Sequence, residues 1–578
     1  MTGATRRGLM LAAGAAALAP GAAFSATDPY DLKLNGTARI LHQTDVHAQA
    51  LPNHFREPSQ NIGVGGADGR PPHIVGQPFL SYYDIAPGSR AAHAYTFLDF
   101  EAAARRFGPL GGVAQLKTVI DSLRASAGPG RSLLLDGGDL CQGSGMANLT
   151  GGQDMIALGN LLGIDALTGH WEFTYGAAGL AALVKAFKGT FLAQNVFLSA
   201  EASMEGKAAF DTKSGRVFPP YLLRELGGRQ GAVIGQAFPY VPIAHPRRFT
   251  PDWRFGIHPG KLQALVDELR GKHKADCVLL LSHNGMPVDL KLAAQVRGID
   301  VILGGHTHDA VPAPVRIANA GGVTLVTNAG TAGKFLGVLD LDIGKGRLRD
   351  AHYHLLPIYS EAIKPDPAVT KAIAQWRAPH AAMLGEKLAD VETLLYRRNN
   401  FGGTADRMIT DALRTELDAE IVLSPGFRWG ASFLPGGAFT MEDLLSETAI
   451  TYPSVYTTTM TGATLKATLE DVCDNLFNRN PYLQQGGDMA RLGGMRYACA
   501  PREPMGHRIS AMTLDSGAAI EAAKTYKVAS WASVSLPQDG KPVWEVVADH
   551  LRRAKTIRVA EGSGVKLLGV AGNPGLAS

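Results

Sequence analysis

Short apolar segments recur along the first half of this chain, and most of them run directly into clusters of Asp, His and Gly. Each segment is rich in Leu, Ile, Val or Ala, which is typical of buried strands. Segments with helical periodicity stand between them, at residues 112–124, 154–162 and 259–272. This alternation predicts an α/β fold in which helices cover the sheet and functional groups gather at strand ends. The predicted strands are 38–42, 132–135, 190–193, 232–235, 277–281 and 300–303.

Five clusters of potential metal ligands follow these segments or lie beside them. They offer imidazole and carboxylate groups without thiolate, a set that suits Mn, Fe or Zn. Because two cations in one cleft need a carboxylate between them, Asp139 is the natural bridging ligand. We therefore predict a two-metal site that hydrolyses a phosphate-like or sulfate-like group. The clusters are Asp45-Val46-His47, Asp136-Gly137-Gly138-Asp139, Gly169-His170-Trp171-Glu172, Ser282-His283-Asn284-Gly285 and Gly304-Gly305-His306-Thr307-His308-Asp309.

The order D-x-H, GGD, G-H-x-E, SH and GGHTH resembles the calcineurin-like metallophosphoesterases, and with the later half of the chain it resembles the 5'-nucleotidase family. The resemblance implies an α/β fold, with a four-layer metallophosphoesterase sandwich followed by a second α/β domain of the 5'-nucleotidase C-terminal type. It implies that Asn195 and Glu172 support the ligands from a second layer. The implied metal sites are Asp45, His47, Asp139 and His308 for one ion, and Asp139, His170, His283 and His306 for the other.

Position 171 departs from the nucleotidase pattern. Nucleotidases have G-N-H-E here, and their His stabilises or protonates the leaving oxygen, whereas this chain has Trp171. His170 can replace the Asn as a metal ligand. The indole of Trp171 donates a hydrogen bond but cannot supply a proton to a leaving group. The substrate is therefore expected to release a group that needs little protonation, such as a persulfide, and Trp171 is expected to line the site.

The later half of the chain contains candidate anion ligands. The segment Ser424-Pro425-Gly426-Phe427-Arg428-Trp429-Gly430 resembles the family's glycine-rich segment, so Arg428 is predicted to hold the substrate oxyanion. Arg398, Arg397 and Asn399 are further candidates, with surface arginines at a helix entry as the alternative interpretation. No glycine-rich base-stacking segment follows the predicted strand 526–532, so the base-binding half of a nucleotidase site is expected to be missing.

These departures, together with residues 55–63, 71–73, 92–96 and 133–144, resemble the thiosulfohydrolase branch of the family. The resemblance implies a periplasmic S-sulfosulfanyl-L-cysteine sulfohydrolase with two Mn²⁺ and metal-activated water. It would remove the terminal sulfonate as sulfate from a cysteine S-thiosulfonate on the carrier protein SoxYZ during thiosulfate oxidation, with Arg428, Trp171 and Arg398 as catalytic residues. A periplasmic 5'-nucleotidase or cyclic phosphodiesterase is the alternative enzyme, and a non-catalytic docking module is the alternative from another class.

The N-terminus predicts export. Thr5-Arg6-Arg7-Gly8-Leu9-Met10-Leu11 opens an apolar run shorter than the about 20 residues of a spanning helix. We predict a twin-arginine signal at residues 1–26, delivery to the periplasm and no stable membrane association after cleavage, with a short membrane anchor as the alternative.

Length and composition bound the remaining organisation. With 578 residues, 46% of them hydrophobic, two large domains are expected. We predict a metal domain at 27–360 with an insertion at 52–105, a connecting helix at 361–384, and a substrate domain at 385–578 that opens with a helix at 404–417. The insertion is expected to be a long ordered loop beside the site, or else a solvated segment without a role. The net charge of +4 argues against a general nucleic-acid binder, and four scattered cysteines exclude a disulfide scaffold.

Overall fold

The computed structural model describes residues 29–535, 537 and 539–570 of the chain. The predicted signal at 1–26 therefore lies outside the described residues. Across the described part, every helix is too short or too polar to cross a membrane.

Two six-stranded sheets form the first half of the chain. The strands of this half are β1 (Ala38–Gln43), β2 (Ser132–Asp136), β3 (Ala166–Leu167), β4 (Thr190–Phe191), β5 (Phe197–Leu198), β6 (Tyr221–Leu226), β7 (Arg229–Gln236), β8 (Trp253–Arg254), β9 (Cys277–Ser282), β10 (Val301–Gly304), β11 (Val315–Asn319), β12 (Gly322–Asn328), β13 (Phe335–Gly344) and β14 (Arg347–Pro357). The first sheet has the strand order β14-β13-β1-β2-β3-β4 and the second has the order β11-β12-β10-β9-β7-β6, while β5 and β8 pair separately.

Helices on both outer faces complete a four-layer α/β/β/α sandwich. Alternation along the strands explains the layers, because neighbouring residues point to opposite faces. Ile40 packs between the two sheets, whereas Leu41 packs under the helices that cover the first sheet. Leu279 and Leu280 divide in the same way on the second sheet. The helices of this half are α1 (Gly76–Tyr82), α2 (Arg90–Tyr95), α3 (Phe100–Phe107), α4 (Val113–Ala127), α5 (Gly145–Thr150), α6 (Gln153–Leu162), α7 (Gly176–Ala186), α8 (Ala200–Met204), α9 (Val241–Ala244), α10 (Pro259–Gly271) and α11 (Met286–Gln295).

The insertion at 52–105 is ordered, but it is not a plain loop. It contains α1, α2 and the start of α3, and its apolar side chains form a small core of their own around Phe79, Leu80 and Tyr83. These helices are six to eight residues long, so their apolar periodicity is too brief to stand out in the sequence.

A helical connection leads into the second half. It consists of α12 (Pro367–Arg377), a 3-10 turn and α13 (Ala381–Leu384). Asp366 caps the first helix by accepting a hydrogen bond from the Val369 backbone N–H, and Pro367 supplies a suitable first residue. This helix packs against α4 and α6, which fixes the exit from the first half.

The second half is a smaller α/β unit with three short sheets. Its elements are β15 (Lys387–Val391), α14 (Thr404–Glu416), β16 (Ile421–Ser424), β17 (Ala438–Thr440), α15 (Met441–Thr448), β18 (Val455–Thr461), α16 (Gly462–Phe477), β19 (Arg491–Gly493), β20 (Met495–Cys499), β21 (Ile509–Leu514), β22 (Thr525–Trp531), α17 (Val543–Ala554), β23 (Thr556–Ile557) and β24 (Val565–Leu567). The three sheets have the strand orders β17-β15-β23, β18-β22-β16-β19 and β21-β20-β24. This half opens with the strand β15, whereas the helix expected at 404–417 follows it as α14. The predicted α/β class and four-layer sandwich are confirmed.

Candidate active site

The first group of candidate ligands gathers where β1 and β2 end. These strands are parallel, with Gln43 opposite Asp136, so the loops that follow them leave from the same edge of the sheet. Asp45, His47, Asp139 and His308 are all buried there, and their ligand atoms lie within 4.8 Å of one another. Nε2 of His47 is 3.1 Å from Nε2 of His308. Such a cluster of nitrogen and carboxylate oxygen atoms is suited to a cation.

The second group adjoins the first and shares Asp139. His170, His283 and His306 are buried and offer nitrogen atoms within 4.8 Å of one another. Oδ2 of Asp139 lies 3.2 Å from Nδ1 of His170 and 3.1 Å from Nε2 of His283. The same oxygen is 3.3 Å from Nε2 of His47 in the first group. The structure thus places all seven predicted ligands together, with Asp139 in the bridging position.

Several ring nitrogens in these groups lack a hydrogen-bond partner within the described part of the chain. They are Nε2 of His170, both nitrogens of His306 and Nδ1 of His308. A buried polar atom left unpaired costs about 1–3 kcal/mol, so such atoms call for a ligand. The residues present therefore fit two metal ions.

The backbone at the candidate ligands is strained. Five of the seven have a positive φ, which costs a residue other than glycine about 1 kcal/mol or more. Strain of this kind persists where the surrounding fold holds side chains in a functional arrangement. The five are Asp45 (φ 52), His47 (φ 48), Asp139 (φ 58), His306 (φ 73) and His308 (φ 59).

The charges of the two groups are strongly linked. Burial by itself would raise the pKa of Asp139, but His170 and His283 outweigh it and hold that pKa well below its usual range. Burial would likewise lower the pKa of His283, yet Asp139 and Asp45 raise it to about 10. Because a metal ligand must be deprotonated, binding of a cation here displaces a proton.

Glu172 holds the two ligand loops together. Its buried carboxylate accepts hydrogen bonds from the backbone N–H groups of Leu140 at 2.7 Å, His170 at 2.9 Å and Asp139 at 3.2 Å. A carboxylate with this many backbone donors fixes the position of the chain around it. Glu172 thus lies where a supporting residue was predicted.

Asn195 supports the site from a greater distance. Its side chain donates to the carbonyl oxygen of Ala237 at 2.8 Å and accepts from the N–H of Ala237 at 2.9 Å. The next residue, Phe238, packs its ring against His170 and His306, with centroid distances of 4.1 and 4.2 Å. Asn195 therefore positions an aromatic side chain behind the ligands.

A cavity of about 210 Å³ lies in front of the metal groups, between the two halves of the chain. His47, Asp139 and His170 line it from the first half. Trp171 forms an aromatic wall with Phe427, their ring centroids being 5.4 Å apart. Candidate ligands and a largely apolar wall therefore face one cleft.

Two of the predicted arginines face this region. Arg428 lines the cavity and donates to the carbonyl oxygen of Gly487 at 2.6 Å. Arg398 and Arg428 both line an adjoining cavity of about 40 Å³. Arg398 donates to the carbonyl oxygen of Thr307 at 3.0 Å, and its Nε has no partner within the described residues. Both side chains are largely buried, so the surface interpretation does not apply to Arg398.

Arg397 and Asn399 are not among the described residues that line these two cavities. Arg397 donates to Asp406 at 2.9 Å and to the carbonyl oxygen of Glu447 at 2.8 Å. Its guanidinium lies over the ring of Trp429, 5.4 Å from the centroid. Arg397 is buried and supports the aromatic wall from behind, which is neither the predicted substrate contact nor a surface position.

Sequence reasoning missed the segment 484–488, which lines the cleft from the second half. Asp488 lies within 3.4 Å of Arg398 and Arg428, and 3.2 Å from Arg491, so one carboxylate holds three guanidinium groups. A signal was present, because Gly486-Gly487-Asp488 repeats the GGD pattern of the second ligand cluster.

The insertion also reaches the site. Asn61 donates to Asp309 at 3.1 Å, and Nδ1 of His73 lies 3.2 Å from Oδ1 of Asn61. Both side chains line the smaller cavity beside Arg398. His245, also unpredicted, packs against Trp171 with ring centroids 4.6 Å apart. Asn61 and His73 fall in the segments 55–63 and 71–73 that carried the family resemblance, but neither was named as a site residue, and nothing around His245 in the sequence pointed to it.

Comparison with known proteins identifies relatives for both halves. The family described as 5'-nucleotidase, C-terminal domain, matches residues 389–547. Rat 5'-nucleotidase is 26% identical over 422 residues, covering 67% of this chain and 69% of the relative. The trifunctional nucleotide phosphoesterase protein YfkN of Bacillus subtilis is 25% identical over 479 residues. The matched residues cover 75% of this chain and 31% of that longer protein.

A solved structure matches nearly the whole chain. The sulfate thiohydrolase SoxB of Thermus thermophilus, in complex with glycerol, is 36% identical with a TM-score of 0.88, covering 94% of this chain and 98% of that one. A 5'-nucleotidase precursor from the same species, 22% identical with a TM-score of 0.70, covers 92% of this chain and shares the fold. The chain therefore belongs to the SoxB family, within the 5'-nucleotidase and calcineurin-like hydrolases.

Proposed function

We propose that this protein hydrolyses a cysteine S-thiosulfonate on the carrier protein SoxYZ and releases the terminal sulfonate as sulfate. The observation that carries the proposal is the position of Trp171, beside the candidate ligand His170 and in the wall of the cleft. A nucleotidase needs a titratable group there for its alkoxide leaving group. A persulfide is a much weaker base and leaves without one.

His245 does not replace the missing proton donor. It is the imidazole that packs on Trp171, but burial, followed by repulsion from His170, holds its pKa well below the usual value. A neutral imidazole with so low a pKa is a poor general acid near neutral pH. The surroundings of Trp171 therefore agree with a leaving group that departs as an anion.

Arg428 is the residue that we assign to the sulfonate. Its side chain lines the cavity that the metal ligands face, and its planar fork of N–H donors matches a tetrahedral oxyanion. Arg398 lies next to it across the smaller cavity and adds a second positive charge. Asp488 holds both guanidinium groups in place, so little reorganisation is needed when the anion arrives.

The rings of Trp171, Phe427 and Trp429 would surround the carrier arm that presents the substrate. Phe427 and Trp429 are stacked with centroids 5.1 Å apart, and Trp171 meets them edge-on. An apolar passage of this kind excludes water and strengthens the electrostatic interactions of the bound sulfonate. Two Mn²⁺, when bound by the two ligand groups, would supply an activated water and neutralise developing negative charge.

We further propose that the reaction takes place in the periplasm, after twin-arginine export directed by residues 1–26. The proposal rests on the twin-arginine pattern at Arg6 and Arg7 and on the apolar run that follows it. The substrate domain would then be residues 385–578, which contain the matched C-terminal family segment.

A 5'-nucleotidase is the second candidate function, because several relatives with that name are 26–27% identical to this chain. Sulfate release from a carrier that holds a cysteine S-thiosulfonate, and phosphate release from AMP, should be measured side by side with the Mn-loaded enzyme. Sulfate without phosphate supports the proposal, whereas phosphate without sulfate contradicts it. Arg428→Lys should lower kcat/KM for sulfate release about 10-fold or more, since the bidentate fork is lost. The exposed Arg347→Lys is the matched control.

A further inference from the structure

Two of the four cysteines are in contact. Cys473 lies on α16 and Cys499 ends β20, and their Sγ atoms are 3.6 Å apart in the core of the second half. Both residues are fully buried. Cys141 and Cys277, by contrast, lie in separate cores of the first half. The chain therefore contains one matched pair of thiols and two separated thiols.

The described surroundings of the pair are apolar. Both cysteines lie in the same apolar cluster, next to side chains such as Leu469, Phe477 and Tyr497. They belong to neither group of potential metal ligands found among the described residues. A disulfide needs an S–S distance of about 2.05 Å, so the sulfur atoms would have to approach by roughly 1.5 Å.

The pair also brackets a functional segment. The chain between Cys473 and Cys499 includes the end of α16, where Asn475 lines the cleft, and the segment 484–488. Asp488 in this segment holds Arg398 and Arg428. A covalent link between the two ends would reduce the freedom of this loop in both the folded and the unfolded chain.

We propose that Cys473 and Cys499 are a site of disulfide formation that fastens the cleft segment at its base under oxidising conditions. The co-reactant is a disulfide of low molecular weight, such as oxidised glutathione. One thiolate attacks it and releases one thiol, and the second thiolate then attacks the mixed disulfide and releases another. Two electrons pass to the oxidant, and the two protein thiols lose their protons. This inference does not rest on the proposed function.

Both thiols are buried, so an oxidant reaches them only when the second half opens or before it has folded. The test is therefore made with the full chain refolded from denaturant in glutathione redox buffer, and compared with the same protein refolded under full reduction. Free thiols are then blocked with N-ethylmaleimide in denaturant and counted by intact mass, and the linked peptides are mapped.

The reduced protein should take up four labels and the oxidised protein two, with Cys473 and Cys499 in one linked peptide pair. Cys141→Ser should lose two labels on oxidation, as the wild type does, whereas Cys473→Ser should lose none. Four labels on the oxidised wild type, or a link that involves Cys141 or Cys277, would overturn the proposal. Because the wild type alone gives this answer, a variant that fails to fold leaves the test intact.

Discussion

Gly486 of the second half lies directly against His306 of the first half, so that a Cβ atom at position 486 would collide with Nε2 of that imidazole. His306 is a candidate metal ligand, and Gly486 lines the cleft. The two halves therefore meet at a candidate metal ligand. We expect Gly486→Ala to displace either the 484–488 segment or the imidazole, and to lower kcat/KM about 10-fold or more.

Gly517→Ala is the matched control for this substitution. Its φ of +88° is close to the +84° of Gly486, but nothing lies within 4 Å of the position that its Cβ would take. Both variants thus bear the same backbone cost, and only Gly486→Ala adds the collision. Steady-state kinetics of the two purified variants give the comparison, and equal activities would contradict the assigned contact.

Glu172→Gln should weaken metal binding. In the wild type, the backbone N–H groups of Asp139 and His170 donate to the Glu172 carboxylate. The amide of the variant would place its own N–H donors against these N–H groups, so the two loops would shift. Changes behind a metal ligand typically reduce affinity about 10- to 100-fold. Metal content after dialysis against a graded chelator measures this effect.

Asp154→Asn is the control for Glu172→Gln, because Asp154 is also buried in the first half but accepts its short hydrogen bond from Thr150. Its metal content should match that of the wild type. Equal metal retention by Glu172→Gln and the wild type would show that Glu172 has no part in holding the ligand loops.

Trp171→His should increase the hydrolysis of phosphate esters. The substitution places a titratable imidazole beside His170, where nucleotidases carry their own His. A general acid contributes about 10²- to 10⁴-fold in rate, so phosphate release from AMP should rise at least about 10-fold. Trp171→Phe, which restores no proton donor, should bring no such gain, and a similar gain in both variants would point to cavity size instead.

Asp289→Asn should change how stability depends on pH. Burial raises the pKa of Asp289 to about 7, despite hydrogen bonds from Ser282 and Asn284. The unfolded value is about 3.9, so the folded protein binds a proton that the unfolded chain releases between these values. The stability that Asp289 contributes is therefore fully present below about pH 4 and is lost as pH rises through about 7.

Asn does not titrate, so the advantage of Asp289→Asn over the wild type should grow across that range and then level off. The pKa shift limits this gain to about 4 kcal/mol. Denaturant unfolding of both proteins at several pH values measures the difference. A difference that stays constant from acid to neutral pH would contradict a buried carboxyl with a raised pKa.

The sequence predicted best those features that follow from a single strand and its end. Apolar runs such as 277–281 and the ligand clusters after them are local patterns, because a strand exposes its last residues at the sheet edge. The seven candidate ligands could therefore be named from the sequence, and the family resemblance divided them between two ions. Charge balance predicted a carboxylate between two cations, and the resemblance placed Asp139 in both metal sites.

Features that depend on long-range packing were out of reach. Nothing near Arg397 in the sequence reveals that Asp406 and Glu447 surround it, and so it was expected to contact substrate. The segment 484–488 reaches the ligands only because the two halves pack together. The short helices of the insertion are stabilised by their own small core, which local periodicity did not indicate.

In the proposed reaction, water attacks the terminal sulfonate sulfur and a persulfide remains on the carrier. The most direct measurement is the isotope content of both products after a single turnover in water enriched in heavy oxygen. We predict one solvent oxygen in each released sulfate, none on the carrier, and one extra sulfur on the carrier cysteine. Sulfate without solvent oxygen, or a carrier that has lost both sulfur atoms of the thiosulfonate, would contradict the proposed hydrolysis.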